Sequence, residues 1–166
     1  MKEVPVGEAW KRKYPERTVL VVSCDSEGKA NIITLGWNMP ASSVPPTVAI
    51  AVGTGSHSHG LISEAGEFVL CFPSIEMLDE VIFCGTHSGR DVDKFAETGL
   101  TPIRARHVRP TLIEEAAVNM ECRVVGKHRT GDHTIFVGEI LAAYISDDER
   151  RVLFNLGQDR YEGYPW

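Results

Sequence analysis

Two short stretches of this chain gather donors for an anion. The first is Ser56-His57-Ser58-His59-Gly60, where hydroxyls and imidazoles stand at a helix start. Backbone N–H groups in a first helical turn lack intrahelical partners, so hydroxyls and imidazole beside them suit a phosphate or carboxylate. Plain N-capping by Ser56 or Ser58 would use the same residues. The second stretch, Ser88-Gly89-Arg90-Asp91-Val92-Asp93-Lys94, again puts a hydroxyl, a glycine and cations at a helix start. Lys94 would also suit a solvated helix face, the usual place for lysine. A further imidazole, His133, sits in a Gly-Asp-His connection between the two longest extended runs. Such a tip is either solvent-exposed or folded over a ligand edge, where imidazole donates to a carbonyl or stabilises developing negative charge.

The stretch Asn31 to Pro46 (NIITLGWNMPASSVPP) adds a wall to these donors. Asn31, Thr34, Trp37 and Asn38 interrupt an apolar run, Met39-Pro40 leaves regular structure, and Ser42-Ser43 precedes a rigid Pro45-Pro46 pair. A strand that only filled a core would not need so many side-chain donors beside a tryptophan. The pattern fits a site for something flat and polar-edged, although Trp37 alone would equally suit a core or an interface. Metal chemistry is not expected. His57 and His59, Cys84 and His87, and Cys122 and His128 repeat no paired zinc spacing. No cysteine stands in an exposed, electropositive setting, and there is no GxSxG, P-loop or GxGxxG motif.

The elements that must position these residues are mostly strands. Thr18–Ser23 is a continuous, largely β-branched run, read as a buried strand, and turns at 25–28 into a second strand over 29–36. Ala41–Pro46 reads as a stiff connector, because the residue before a proline is pushed to extended geometry. Further strands are expected at 47–52, 67–72, 117–128, 134–146 and 152–155. Helices are expected at 57–65, stopped by Gly66, at 75–82 behind Ser74, and at 91–98, stopped by Gly99. Residues 84–90 read as a loop and 159–166 as an irregular tail. This mainly β pattern with short inserted helices suggests an antiparallel barrel, since a doubly wound sheet needs helices of about 10–15 residues between strands.

Composition narrows the class. The chain has 166 residues, enough for one domain over 1–166 with a core that needs no staples. The net charge is −6 with no long block of like charge, which argues against nucleic acid or an anionic membrane as partner. No apolar window reaches transmembrane length, and Met1–Tyr14 lacks a signal-peptide core. Cys24, Cys71, Cys84 and Cys122 form no CxxC pair and read as reduced thiols of a cytoplasmic protein.

Taken in order, GKANIITLGW, SSVPP, HSHGLI, GEFVLCFP, SGRDVDKF, ECRVV and GDHTIFVGEI resemble the flavin reductase-like family of FMN-binding split barrels, in its flavoredoxin-type branch. The resemblance runs from about Pro15 to Tyr144. It implies a Greek-key split β-barrel that forms a homodimer and holds FMN non-covalently near the subunit interface. Asn31, Thr34 and Trp37, with Ser42, correspond to the segment along the flavin ring. Ser58, with His57 or Ser56, corresponds to the phosphate contact, and Lys94 and His133 to groups around the flavin, with catalytic roles. Ser88 and Arg90 fall in the same motif as Lys94, and Trp166 or Tyr164 would supply a C-terminal aromatic.

The expected function is an oxidoreductase passing electrons through FMN, fed by NADH or NADPH or by a redox protein partner. The alternative is a split barrel that binds flavin or haem without turnover, with His57, His59 or His133 as an axial ligand.

Overall fold

The computed structural model describes residues 1–165. One strand shows how the chain builds its core. Strand β2 (Val19–Cys24) follows helix α1 (Val6–Trp10) and the short β1 (Glu16–Arg17), and all six of its residues are buried. Side chains alternate between sheet faces, so a strand buried on both faces must feed two cores. Leu20 and Val22 join one cluster, with Val69, Cys71, Val81 and Ile113. Val19 and Val21 join the other, with Ile50, Phe68, Leu70 and Phe136.

The remaining elements follow in order. They are β3 (Ala30–Leu35), β4 (Asn38–Ser43), β5 (Pro46–Gly53), α2 (His57–Ala65) and β6 (Glu67–Phe72). A single 3-10 turn then leads into α3 (Leu78–Thr86), followed by α4 (Lys94–Thr98), β7 (Pro102–Ile103) and β8 (Leu112–Ile113). The two long strands β9 (Val118–Thr130) and β10 (His133–Ile145) precede the hairpin of β11 (Val152–Gly157) and β12 (Arg160–Tyr164).

Seven strands form one antiparallel sheet in the order β3-β2-β6-β9-β10-β5-β4. Strands β2 and β5 are not neighbours in that order, yet Val19, Val21, Val48, Ile50 and Val52 share a core with Ile62 of α2. The sheet therefore curls around this cluster. Its end strands β3 and β4 do not pair with each other and are linked through Gly36 and Trp37. The result is a split β-barrel. The ladder between the two long strands shifts between Val137 and Gly138, where the backbone packs against the core: a Cβ at Gly138 would lie 2.5 Å from the Phe68 ring. Smaller sheets, β1-β11-β12 and β7-β8, lie outside the barrel. No described helix is long and apolar enough to cross a membrane.

Several elements differ from the sequence reading. Residues 38–43 are a strand rather than irregular chain, pairing Asn38 with Ile50 and Ser43 with Pro46. The ladder shifts between Pro40 and Ser42, and the strand's outer side is unpaired. Proline is tolerated in such a strand because an edge or bulge does not need its missing N–H. Helix α4 begins at Lys94 rather than Asp91, because Asp93 caps it, accepting from the N–H groups of Phe95 and Ala96. Helix α3 runs on to Thr86, through part of the expected loop. Residues 160–164 form β12 rather than an irregular tail, after a turn that holds Gln158 and Asp159 at positive φ.

One buried carboxylate pins a long loop to the barrel. Glu121 on β9 is fully buried. Its Oε1 accepts from Arg106 N–H at 3.0 Å and from the Tyr144 hydroxyl at 2.6 Å. Its Oε2 accepts from the N–H groups of His107 and Val108. Burial pushes this carboxyl up, but the hydrogen bonds from Tyr144, Arg106 and His107 outweigh it and hold the group below its ordinary value. A depressed carboxylate contributes stability above its unfolded value, about 4.3, and loses it as pH falls through the folded value. Glu121→Gln should cost about 2–3 kcal/mol, because it removes charge-assisted bonds and misplaces a donor. Denaturant melts should show that loss at pH 7 and a shrinking gap from wild type as the pH drops below 4.3, roughly the unfolded carboxylate value.

Candidate functional site

The sequence stretches that could bind an anion meet around one cavity of about 300 Å³. Strand β3 brings Asn31 to it, the start of α2 brings His57 and Ser58, and the loop after α3 brings Ser88, Gly89 and Arg90. Lys94 enters from the start of α4.

Capping and binding separate cleanly at α2. Ser56 is the cap, its Oγ accepting from His59 N–H at 3.2 Å. Ser58, buried within the first turn, instead accepts a 2.7 Å bond from Asn31 Nδ2. Asn31 is itself buried, and its Oδ1 has no partner among the described residues. A buried acceptor without a donor is costly, and this one borders the cavity, where an O–H or N–H could reach it. Gly89 lies directly against it: a Cβ there would stand 1.8 Å from Asn31 Oδ1. Ser88 shapes the same loop by accepting from Arg90 N–H, and the Arg90 guanidinium donates to Gly55 O at 3.3 Å.

Lys94 is not on a solvated face. It is 4% exposed, and its Nζ donates to the carbonyls of Ile32 and Cys84, each at 2.7 Å. An ammonium has three donors, so one remains. No carboxylate pairs with it among the described residues. Burial lowers its pKa. The same burial, opposed by Lys94, pushes the Cys84 thiol up to about 11, so this cysteine is an inert thiol rather than a nucleophile. His57 is lowered too, by burial and then by Arg90, with Lys29 and Lys94 adding to it. The cavity is a locally positive region in an acidic chain.

A second group of residues stands beside it. Trp37 and His133 lie with ring centroids 4.7 Å apart. His133 Nδ1 meets Asp132 Oδ1 at 2.8 Å, which lowers the Asp132 carboxyl. The hairpin tip is not free: Thr54 donates to Asp132 O through both its N–H, at 2.9 Å, and its hydroxyl, at 3.1 Å. The segment 53–58 therefore runs from beside His133 straight into the cavity.

The structure does not bring every expected residue here. Thr34 donates to Val81 O at 2.6 Å, locking β3 onto α3, and packs against Gly85 rather than facing the cavity. Ser42 lies on β4 opposite Thr47, at the far end of β5 from Gly53, so the Pro45-Pro46 turn points away from the cavity. Its Oγ accepts from Val44 N–H. Tyr164 packs edge-on to Phe154 in the outer hairpin, and Trp166 lies outside the described residues. His59 turns into the barrel, with Nε2 at 2.9 Å from the Thr134 hydroxyl and its ring edge-on to Phe136. Trp10, which the sequence reading passed over, stacks on Trp37. Its only signal is a tryptophan in an N-terminal segment without a continuous apolar run.

The sequence profile of the flavin reductase like domain matches residues 12–163. The chain belongs to the flavin reductase-like family. A protein of Archaeoglobus fulgidus is 44% identical over 128 residues, which is 77% of this chain and 71% of that one. An FMN reductase (NADH) of Methylorubrum extorquens is 26% identical, over 98% of this chain and 79% of its own. Among solved structures, a flavoredoxin of Methanosarcina acetivorans superposes with a TM-score of 0.85 at 26% identity, covering 98% of this chain and 91% of that one. These likenesses bear out the split barrel of this flavin reductase-like chain.

The cavity gives a direct expectation. Inorganic phosphate should raise the melting temperature of the protein, because a ligand that binds only the folded state adds stability by mass action. Gly89→Ala must push Asn31 away and, through the 2.7 Å bond from Asn31 to Ser58, disturb the hydroxyl at the start of α2, so it should remove most of that phosphate-dependent shift. Thermal melts over a phosphate series, with chloride at matched ionic strength as control, read both outcomes.

Proposed function

We propose that this chain is an FMN-dependent oxidoreductase, taking electrons from NADH or NADPH and passing them on through non-covalently held FMN. One observation carries the reading: the positive cavity with its unpartnered Asn31 acceptor is continuous, through 53–58, with the Trp37–His133 pair. FMN has a phosphate at one end, a hydroxyl-bearing linker and a flat ring with polar edges. The residues fit that order.

Ser58, Ser88, Arg90 and the backbone at the start of α2 would hold the phosphate, with His57 beside them. Asn31 Oδ1 suits a linker hydroxyl, since it can accept but a phosphate dianion cannot donate to it. Lys94 keeps one proton for an acceptor on the ligand, and binding of an anionic group would offset the cost of its buried charge. Trp37 would wall the ring, and His133 would donate to its polar edge. Held by Asp132, that imidazole presents its Nε2 side away from the carboxylate. When bound, FMN supplies the redox chemistry that no side chain here offers.

A homodimer belongs to the same proposal. Strand β4 is a sheet edge with no partner on its outer side among the described residues; it carries Met39, 59% exposed, and leads into Val44, 91% exposed. An apolar open edge is a liability unless something covers it, and a second copy would do so. It would also give Ser42 a place beside a site, that of the partner. A redox protein in place of the nicotinamide nucleotide is the second reading of the electron source. The four cysteines are free and buried, which suits a reducing compartment and a cytoplasmic location.

The freshly purified protein should show flavin absorption bands, or quench FMN fluorescence on titration. Trp37→Ala should weaken FMN by about tenfold, the scale of one lost aromatic contact. His133→Ala should lower the bound flavin's two-electron midpoint potential by roughly 30 mV, as expected for one lost hydrogen bond to the reduced form. Anaerobic stopped-flow mixing with NADH and NADPH identifies the reductant. A protein that binds no flavin, or variants matching wild type in both affinity and potential, would remove the proposal.

A further inference from the structure

The segment joining β7 to β8 is irregular, yet its backbone is fastened at every step from Arg106 to Arg109. The N–H groups of Arg106, His107 and Val108 donate to the buried Glu121 carboxylate, and that of Arg109 to Glu67 Oε2 at 3.0 Å. Most surface connections leave such amides to water. The side chains of this one divide by burial. Ala105, Val108 and Pro110 are buried, while Arg104, Arg106, His107 and Arg109 are exposed. Arg109 is committed to Glu67, its Nε 3.5 Å from Oε2. Arg104 and Arg106 pair with no carboxylate among the described residues. Two unpaired guanidinium groups thus stand on a backbone that cannot drift.

Both arginines line a cavity of about 300 Å³ at the opposite end of β10 from His133. Its walls are apolar, made by Ile103, Leu112, Ile113, Ala116 and Ile145. Its other polar groups are already engaged. The Tyr144 hydroxyl donates to Glu121, and Asn119 bonds to Ile113 N–H at 2.8 Å and to Ile113 O at 2.9 Å. Ser146 Oγ accepts from Arg150 Nε at 3.0 Å. The guanidinium groups of Arg104 and Arg106 are the donors left over. One carboxylate, Glu114, also lines the cavity; it is exposed and pairs with neither arginine. No residue is shared with the positive cavity of Asn31, Ser58 and Lys94.

We propose that this second cavity binds a small monocarboxylic acid with an apolar body. The carboxylate meets Arg104 and Arg106, and the body lies against Ile113, Ala116 and Ile145. A guanidinium presents paired N–H donors that match the two oxygens of a carboxylate. The walls remove the apolar body from water, which is the larger part of the affinity a site of this size offers. An inorganic anion would leave those walls uncovered, and a neutral hydrocarbon would leave the guanidinium groups unused. The charge count sets the ligand's valence. Two cations and Glu114 leave a net of one positive charge on the lining, which suits one carboxylate and disfavours a second. Holding the loop by four amides beforehand lowers the cost of ordering it around a ligand. The proposal does not rest on the flavin reading, because its residues take no part in that site.

The test is calorimetric titration of the full-length protein with benzoate and with hexanoate, at matched ionic strength, with and without excess inorganic phosphate. At least one acid should bind, the tighter of the two showing whether the body is a ring or a chain, and neutral benzamide should bind at least tenfold more weakly than benzoate if the ring is preferred. The double variant Arg104→Gln, Arg106→Gln should weaken the preferred acid by about tenfold or more, through loss of charge-assisted bonds. Ile145→Glu, at a position 72% exposed, brings a carboxylate to the cavity and should weaken it similarly. Both sets of positions are exposed, so melting temperatures should stay close to wild type. Neither acid binding, or full wild-type affinity in both variants, would overturn the proposal. So would competition by phosphate, which would place the acid in the cavity of Asn31 and Lys94 instead.

Discussion

An uncompensated charge buried at a three-way junction organises this half of the molecule. Lys94 reaches under β3 and the end of α3 to two backbone carbonyls, Ile32 O and Cys84 O. Both are carbonyls that regular structure leaves available, one on the outer side of an edge strand and one in the last turn of a helix. The ammonium satisfies them and in doing so fixes where α4, α3 and β3 lie relative to one another. Burial alone disfavours the charge, and its pKa falls accordingly. A protein that keeps a lysine under those conditions either tolerates a standing cost or offsets it with an anionic ligand. The remaining proton and the adjacent cavity make the second the more economical account.

The split in the barrel follows from the same neighbourhood. A barrel closes when its end strands pair, but β3 and β4 are consecutive and separated by Gly36 and Trp37 alone. Gly36 is fixed against Glu16, where any Cβ would approach within 2.5 Å of the carboxylate. Trp37 is held by its carbonyl, which accepts from Ala51 N–H at 3.0 Å. The chain therefore crosses the gap between the two edges without zipping them together. That leaves the outer side of β3 free for α3 and α4, and the outer side of β4 open. A closed barrel of the same strands would have no such cavity.

Much of this was legible in the residues. The run at Thr18–Ser23 announces a strand buried on both faces, and β2 is one. Ser56-His57-Ser58, Ser88-Gly89-Arg90 and Lys94 read as separate donor groups, and the fold brings them to one cavity. What failed depended on partners distant in sequence. Pro40 looks like a strand breaker until β4 proves to be an edge. Thr34 looks like a donor beside Trp37 until strand alternation turns it toward Val81. Ser42 follows Trp37 closely in sequence, but the β4–β5 hairpin carries it to the opposite end of the sheet. Trp10 had no readable role, because its significance lies wholly in its contact with Trp37.

Trp37 is where these constraints converge, and its exposure is informative. At 45% exposed even with Trp10 and His133 against it, this indole fills no core position. Large aromatics left open to solvent on a rigid backbone cost apolar hydration and contribute little to packing. Here the backbone is rigid, since Ala51, Gly36 and Glu16 fix the segment, while the ring's outer partner is carried by a helix that buries nothing. One face thus meets His133 of the barrel, and the other meets an indole carried by a helix that buries nothing. A purely structural tryptophan would gain from a fixed partner on both sides. A rigid platform with one neighbour carried by such a helix instead suits a face that a flat ligand could cover.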